Sequence, residues 1–171
     1  MGIAGIITGL GLVGYALFGG PSEEELIREQ LHRFAHVLGV DPSENAVFRL
    51  GRLNKEFKTL LTDNVHVRVR ELTSLERGRK GLAAVAARAG VYFTGAEISL
   101  SDFEIQIDAK ETSATVKCLA RLTAEQGGQP RRDDRRVDFK LAKVDGDWLI
   151  DSIFVSDVNE EQEAEAVPAL P

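Results

Sequence analysis

Three titratable side chains lie on segments that alternate like β-strands, where a buried site could use them as an acid or a base: Asp102, His66 and Asp151. A carboxylate or an imidazole that points into an apolar pocket acquires the shifted pKa that proton transfer needs. His66 shares its strand face with Arg68 and Arg70, which predicts that it faces water. Asp102 interrupts the alternation of its strand, which favours a structural role in a β-bulge over a role as a base. The sequence therefore assigns no catalytic residue.

The residues that we expect to line a pocket are Tyr92, Asp102 and Trp148. Two of them carry large aromatic side chains, and Asp102 is the carboxylate at the predicted bulge. The alternative is that the many apolar residues predicted to point inward fill the same space completely. The sequence contains no Gly-rich phosphate loop and no nucleophile elbow, so it predicts neither phosphoryl transfer nor acyl transfer.

His32 and His36 are candidate ligands of a metal site, because they stand four residues apart with Glu25 and Glu29 on the same side of a predicted helix. That side lies opposite the apolar stripe of the helix and should face water, whereas a structural zinc site is enclosed by other elements. We therefore expect no metal and no cofactor. The single cysteine, Cys118, alternates with core positions and is predicted to be inert core filler.

A curved antiparallel sheet is the element that must position any site. The alternation of apolar and polar residues predicts four consecutive strands, at 97–108, 113–123, about 132–144 and 148–155. The alternation slips by one residue at Ser101-Asp102, as a bulge requires. Asp145-Gly146 indicates a tight hairpin. The last strand is apolar on both faces, so we expect helices to cover one face and a second subunit or a neighbouring segment to cover the other. Of these two we favour a second subunit, in a homodimer through the sheet.

Three helices and a short strand are predicted before the sheet. Ser22 and Glu25 form a capping box for the first helix, which Gly39 ends. Asp41 is predicted to cap the second helix, with Pro42 at its first position. A short strand follows around 65–69. The third helix is predicted over 78–93, with these residues facing inward: Leu82, Val85, Ala86, Ala89 and Tyr92.

The two ends of the chain differ from this pattern. Residues 2–20 carry no charge and would reach roughly 28 Å as a helix, about the thickness of a bilayer's hydrocarbon core. We predict a single-pass transmembrane anchor at 1–20, with a cleaved signal peptide and a soluble or disordered leader as the alternatives. Arg28 and Arg33 follow this leader, which favours a cytoplasmic globular domain, with a periplasmic one as the alternative. Residues 159–171 are rich in Glu and Ala and predict a disordered acidic tail, which leaves a domain at 21–158.

The net charge argues against nucleic acid as a partner, while two local basic clusters suggest anionic lipid. The net charge is −6 and the pI is near 5.2, so general affinity for nucleic acid is not expected. Basic residues nevertheless cluster at 131–136 and between Arg68 and Lys80. Either cluster could contact anionic lipid headgroups if the domain lies near a membrane. The alternative is a solvated surface whose internal ion pairs contribute little each.

Three stretches resemble the nuclear transport factor 2-like superfamily, which includes ketosteroid isomerase and SnoaL-type domains: Gly78-Arg-Lys-Gly81, Leu100-Ser-Asp-Phe-Glu-Ile105 and Val144-Asp-Gly-Asp-Trp-Leu-Ile150. The resemblance implies an α+β cone, in which three helices pack on a curved antiparallel sheet around a pocket. Members of this superfamily include isomerases, dehydratases, cyclases, transport adaptors and membrane-anchored assembly subunits, so the fold does not select a function.

The charge-free leader and the missing catalytic set favour one of these functions. We expect a membrane-anchored, non-catalytic module that binds a protein partner or supports an assembly. The alternative is a small-molecule carrier, or an enzyme of the isomerase or dehydratase type, that uses the cone pocket. The two differ in whether the space between helices and sheet is open and holds a buried acid or base.

Overall fold

The computed structural model describes residues 20–70 and 75–158. Along these segments the elements are α1 (Glu23–Leu38), α2 (Ala46–Leu60), β1 (Leu61–Val69), β2 (Leu75–Arg77), α3 (Arg79–Tyr92), β3 (Gly95–Ile107), β4 (Ser113–Gln126), β5 (Gln129–Val144) and β6 (Asp147–Asp157). The predicted order of two helices, a strand, a helix and four strands is confirmed, and the short strand β2 is added to it.

The strands form one six-stranded sheet in the order β2-β1-β6-β5-β4-β3. The four long strands pair antiparallel, as predicted, while β1 runs parallel to β6. Helix α1 packs across the concave side of this sheet, and its buried residues Ile27, Leu31 and Phe34 belong to the same core as β5 and β6. The three helices and the curved sheet therefore enclose the space in which a cone pocket would lie.

Strand β3 is bent by a bulge at the predicted position. Its pairing with β4 shifts register between Ser101 and Glu104, and Asp102 has a φ of +54°. The bulge reverses the alternation, so Leu100 before it and Phe103 after it both face the helices. The ring of Phe103 lies edge-on against His32 of α1, with 5.2 Å between the ring centroids.

Strand β6 differs from the prediction of a strand that is apolar on both faces. Its pairing with β5 shifts register opposite Asp151, and this second bulge turns both Ile150 and Ile153 into the core. Only Leu149 and Phe154 are left as large apolar residues on the outer face of the strand. The expected homodimer through the sheet therefore loses part of its apolar surface and stays a prediction.

The β4–β5 and β5–β6 hairpins close through two-residue turns with positive φ at both positions. Asp145 and Gly146 have φ values of +53° and +95°, which confirms the predicted hairpin. Gly127 and Gly128 have φ values of +58° and +76°, so β4 and β5 extend up to these two glycines, beyond the predicted strand ends at 123 and about 132. Such turns match the twist of the strands they join.

Helix α1 begins as predicted, whereas α2 begins later. The Ser22 hydroxyl accepts a hydrogen bond from the Glu25 N–H at 3.2 Å, and the Glu25 carboxylate accepts one from the Ser22 N–H at 2.8 Å. Asp41 does not cap α2, because its carboxylate accepts bonds from the N–H and hydroxyl of Ser43 in a local turn. Asn45 caps α2 instead, by accepting bonds from two N–H groups of the first turn.

Helix α3 buries a different side from the one predicted. Leu82 is buried as expected, and Ala83 and Ala87 are buried with it, whereas Val85 is 40% exposed and Tyr92 is 64% exposed. The alanines of α3 point to several sides of the helix, so their spacing in the sequence does not identify which side is buried. The neighbour that decides the face is α2, along which α3 packs.

No helix within residues 20–70 and 75–158 is long and apolar enough to cross a membrane. The predicted anchor at 1–20 falls outside the described residues except for its last position, and the predicted tail at 159–171 falls outside them entirely. The boundaries of these two segments stay predictions.

Candidate functional site

An apolar cavity of about 210 Å³ lies between α1 and the concave face of the sheet. We call it the cone cavity. The rings of Phe34 and Phe139 both line it and meet edge to face, with 6.2 Å between their centroids. The walls of the cavity come from α1 and four strands: Phe34, Ala35, Leu38, Ile98, Leu100, Ala120, Leu122, Asp133, Arg135, Val137, Phe139, Ile153 and Val155.

Two charged side chains of this wall, Asp133 and Arg135, belong to an ion-pair chain. Arg135 Nε donates to Asp133 Oδ2 at 3.1 Å, and Arg135 Nη1 donates to Asp157 Oδ1 at 2.6 Å. The three side chains are 30% to 48% exposed, so they form a rim that reaches solvent. The guanidinium is therefore shared between two carboxylates, and charged groups lie only at the rim of a cavity whose other lining side chains are apolar.

The titratable carboxylate in the described wall of the cavity is that of Asp133. A general acid or base needs a titratable group directed at the substrate, whereas an oxygen of Asp133 is engaged by Arg135 at the rim. The remaining lining side chains, Arg135 apart, are apolar.

A larger, open cleft of about 1040 Å³ lies on the other side of the C-terminal half of α1. We call it the outer cleft. It shares Ala35, Ile98 and Leu100 with the cone cavity, so these residues separate the two spaces. The loop that forms its floor is fastened to β3 by paired backbone bonds between Val40 and Ala96, of 2.8 and 3.1 Å.

The histidines of the predicted metal side both line this outer cleft. His32 and His36 are exposed, as expected. No group of three or more His, Cys, Asp or Glu side chains in 20–70 and 75–158 is arranged to hold a metal ion. His32 instead packs on the ring of Phe103. The Arg28 guanidinium lies over the same ring, 5.1 Å from its centroid, in a cation–π contact.

The most deeply buried charge of the described chain is Arg49, which is 1% exposed. Its guanidinium donates to the carbonyl oxygens of Leu38 at 2.8 Å, Gly39 at 2.5 Å and Ala86 at 3.2 Å. The last carbonyls of a helix have no partner within the helix. Arg49 therefore joins the end of α1 to α2 and α3 at one point.

Glu44 and Arg52 complete this junction. Arg52 donates two hydrogen bonds of 2.8 Å to the Glu44 carboxylate and a third of 2.9 Å to the Val37 carbonyl. The Arg52 hydrogen bond lowers the pKa of Glu44, and the same bond raises the pKa of Arg52. Burial lowers the pKa of Arg49, while Glu44 Oε2, 3.7 Å from Arg49 Nη1, opposes that shift. The junction is a structural cation cluster that faces the outer cleft.

The three predicted pocket residues do not come together. Tyr92 lies at the exposed end of α3, and Asp102 is exposed at the β3 bulge, where Ser101 Oγ donates to it at 3.2 Å. Trp148 is 3% exposed and lines a shallow depression at the opposite end of α1, beside Gln30. None of the three lines the cone cavity.

Trp148 instead fastens the start of α1 to the sheet. Its indole N–H donates to Glu23 Oε2 at 2.6 Å, and Lys143 Nζ donates to Glu23 Oε1 at 2.6 Å. The Lys143 bond, followed by that of Trp148, lowers the pKa of Glu23. The first residue of α1 is therefore bound to both β5 and β6.

Sequence reasoning missed Arg49 and did not single out Arg135 as a cavity residue. Arg49 has the spacing of the core stripe, since Leu53, Phe57 and Leu60 follow it on the same side of α2 and all are buried. A charge within an apolar stripe was the signal that could have found it. Arg135 falls in a run of four arginines and two aspartates, and nothing in that run distinguishes it.

Comparison with solved structures shows the fold. The structure of an NTF2-like protein with a cystatin-like fold from Novosphingobium aromaticivorans is similar over 99% of this chain and 100% of that chain, with a TM-score of 0.62 and 15% identity. An NTF2-like superfamily protein from Salmonella enterica serovar Typhimurium aligns with 79% of this chain and 89% of its own, with a TM-score of 0.60 and 17% identity.

A third similar structure is named as a candidate scytalone dehydratase, also from N. aromaticivorans. It aligns with 78% of this chain and 82% of its own, with a TM-score of 0.59 and 16% identity. No protein-family model and no curated protein matches the sequence. At these identities the similarity concerns the fold and carries no residue role across.

Proposed function

We propose that this chain, which has the nuclear transport factor 2-like fold, is a membrane-tethered binding module rather than an enzyme. The observation that carries the proposal is the surface of α2 and α3, where large apolar side chains point into solvent. Val47 is 80% exposed, Phe48 72%, Val91 75% and Tyr92 64%. Exposed apolar residues that cluster on one part of a soluble domain mark a contact surface.

The cone cavity supports the same proposal by its chemistry. Its only described carboxylate, Asp133, is ion-paired at the rim. The rings of Phe34 and Phe139, which belong to the core, also line this cavity. A binding module of this fold uses the cone as scaffold and presents its contacts on the outside.

The tether in this proposal is the charge-free leader at 2–20. It joins the domain at Ser22, where the capping box and the Glu23 contacts give α1 a fixed start. A firmly held junction transmits the position of a membrane segment to the domain that follows it.

The test of the tether is extraction of membranes with alkaline carbonate after expression of the full chain. The tethered protein should stay in the pellet, and Leu10→Asp with Leu12→Asp should release it, since charged residues at the centre of a membrane helix cost about 3 kcal/mol each. Leu170→Asp is the matched control and should leave the protein in the pellet. Release of the unmodified chain would contradict the tether.

A homodimer through the outer face of the sheet is a further part of the proposal. In the register of the sheet, Lys117, Asp138 and Phe154 lie side by side on neighbouring strands. Phe154→Lys should convert a dimer into a monomer, which light scattering of the purified full chain in detergent measures after the detergent mass is subtracted. A monomer for both proteins would contradict this part and leave the tether intact.

The second candidate function is a carrier of a small apolar molecule, and the cone cavity of about 210 Å³ is the observation that favours it. A similar structure that is named as a candidate dehydratase supports a pocket function of this kind. Titration with small aromatic and aliphatic alcohols tests it, because every lining side chain other than Asp133 and Arg135 is apolar. Binding that Ala120→Leu abolishes would support the carrier, and no binding at millimolar concentrations would reject it.

A further inference from the structure

We propose that the outer face of the α2–α3 pair lies against an anionic lipid bilayer. We define this helix-pair face by Val47, Leu50 and Lys58 of α2 and by Lys80, Arg88 and Val91 of α3. The proposal rests on the proposed function in one respect, namely that the leader holds the domain at a membrane. It names the partner of Val47 and Val91 from the exposed apolar surface described above, whereas Phe48 lines the outer cleft.

The helix-pair face is continuous because the two helices run antiparallel in contact. Arg79 donates to the Lys58 carbonyl at 3.1 Å, and Arg49 donates to the Ala86 carbonyl at 3.2 Å. The start of α3 therefore lies beside the end of α2, and the second half of α3 lies beside the start of α2. A groove of about 630 Å³ runs between them and is lined by Leu50, Lys58 and Lys80, among others.

The charge of this face is positive and is not neutralised locally. Helix α3 contains no acidic residue. Within 20–70 and 75–158, no ion pair engages Lys58, Lys80 or Arg88, whereas the neighbouring carboxylate of Asp63 is paired with Arg79. Basic residues beside exposed apolar side chains are what a surface needs to bind anionic headgroups and to insert between them.

Two cations of this face, Lys58 and Lys80, lie nearer to the leader than Arg88 does, since Arg88 lies near the level of Arg49 and the end of α1. Helices α1 and α2 are antiparallel, because Gln30 of α1 donates to the Thr59 carbonyl at 2.7 Å while Arg52 of α2 donates to the Val37 carbonyl, and Lys58 therefore lies level with the middle of α1. A membrane segment before Ser22 places Lys58 and Lys80 nearer to the headgroups than the other end of the face. Val47 and Val91 continue the same face away from that point.

The acidic C-terminal tail is the other occupant that charge would allow. Strand β6 ends at Asp157, whose partner Arg135 lines the cone cavity together with Leu38. Leu38 is the last residue of α1, so the tail leaves the domain at the end opposite to Lys58 and Lys80. This geometry favours the bilayer, and the tail becomes an outcome of the test.

The experiment places the full chain in nanodiscs of phosphatidylcholine, with and without phosphatidylserine, and attaches a fluorophore at Gly51→Cys. Gly51 lies on the face side of α2, and a Cβ there meets nothing within 4 Å. The native Cys118 is buried, and burial raises its pKa to about 12, so it should not react. A lipid carrying a quencher in its upper acyl chain reports contact with the bilayer. The control label is at Gln129→Cys, in the exposed β4–β5 hairpin.

Quenching of the label at position 51 should be strong in anionic discs, weaker in neutral discs, and absent at position 129. Each Lys or Arg near an anionic surface favours the docked state by about fivefold, so Lys58→Glu with Lys80→Glu should lower docking by at least about 25-fold. Arg131→Glu with Lys140→Glu changes the net charge equally, on exposed positions elsewhere, and should have no effect.

Two results would overturn the proposal. Equal, weak quenching at positions 51 and 129 in discs that retain the protein would show that the tether holds while the face stays free. The second result is that, without any lipid, the label at position 51 is protected from an aqueous quencher, and that this protection is lost when the chain is ended after Val158. That result would assign the face to the C-terminal tail. A chain that the discs do not retain at all would contradict the tether, and with it the premise of the docking.

Discussion

Arg49 Nη2 of α2 lies 2.8 Å from the carbonyl oxygen of Leu38, the last residue of α1. A buried cation of one helix thus satisfies the open end of another, and its Nε bond to Ala86 extends the contact to α3. This single side chain fixes the mutual position of three helices. Both the cone cavity and the helix-pair face depend on that position.

Replacement of Arg49 should therefore destabilise the domain strongly. Arg49→Met fills much of the same volume but leaves buried carbonyl oxygens without donors, each of which costs about 1 to 3 kcal/mol. We expect the free energy of unfolding in urea to fall by about 3 kcal/mol. Arg88→Met, at an exposed position of α3, is the control and should change it by less than about 0.5 kcal/mol. Equal effects of the two variants would contradict the role of Arg49.

The β3 bulge predicts opposite effects for two substitutions at Asp102. With φ at +54°, this residue has a left-handed backbone that costs side chains with a branched Cβ about 1 to 2 kcal/mol. Asp102→Val should lower the unfolding free energy by about that amount, and Asp102→Gly should leave it unchanged or raise it. If Asp102 served as a base instead, both variants would lose a measurable activity while stability stayed constant.

The contact between Glu23 and the sheet should make stability depend on pH. Bonds from Lys143 and Trp148 hold the pKa of Glu23 below its ordinary value of 4.5. A carboxyl whose pKa is lower in the folded state stabilises the fold above its unfolded pKa, and this contribution is lost as the pH falls through the folded pKa. Glu23→Gln should be less stable than the parent at pH 7, and the difference should shrink as the pH falls below 4.5 and vanish once it is below the lowered pKa of the folded state.

That prediction has a matched control. Trp148→Phe removes the indole donor and keeps an aromatic ring, so it should weaken the pH dependence without abolishing it, because Lys143 remains bound to Glu23. Glu24→Gln, on the same turn and without a side-chain hydrogen bond or ion pair in the part of the chain that the structure describes, is the matched control and should leave the stability at pH 7 unchanged. A constant difference between parent and Glu23→Gln from pH 7 to pH 3 would refute the linkage.

Filling the cone cavity should be tolerated. Ala120→Leu adds three carbon atoms to a space of about 210 Å³, and filling a cavity commonly raises stability by about 0.5 to 2 kcal/mol. We expect an unchanged or higher melting temperature and undiminished membrane docking. Loss of docking in this variant would mean that the cavity, rather than the helix-pair face, takes part in function.

Much of the fold follows from local rules that the sequence displays. The alternation around Ser101 predicts the β3 bulge, Asp145-Gly146 predicts the hairpin, and Ser22 with Glu25 predicts the start of α1, because each depends on a few adjacent residues. The start of α2 could not be predicted in this way. Asp41 and Asn45 are both good caps, and the turn that Asp41 forms with Ser43 decides between them.

The candidate site was less predictable because it depends on contacts between distant segments. The bulge at Asp151 turns Ile153 inward, and no local signal in an apolar strand shows where that break falls. Trp148 was expected in a pocket wall, but its partner Glu23 lies 125 residues earlier in the chain. The wall of the cone cavity follows from strand register, which single-sequence patterns leave open.

The most direct test of the account is hydroxyl-radical oxidation of the full chain in neutral and in anionic nanodiscs, followed by mass spectrometry. If the helix-pair face lies on the anionic bilayer, oxidation of Val47 and Val91, which are 80% and 75% exposed, should be lower in anionic than in neutral discs. Leu119 on the outer face of the sheet should be oxidised equally in the two kinds of disc. Equal oxidation of Val47 and Val91 in the two kinds of disc would contradict the account.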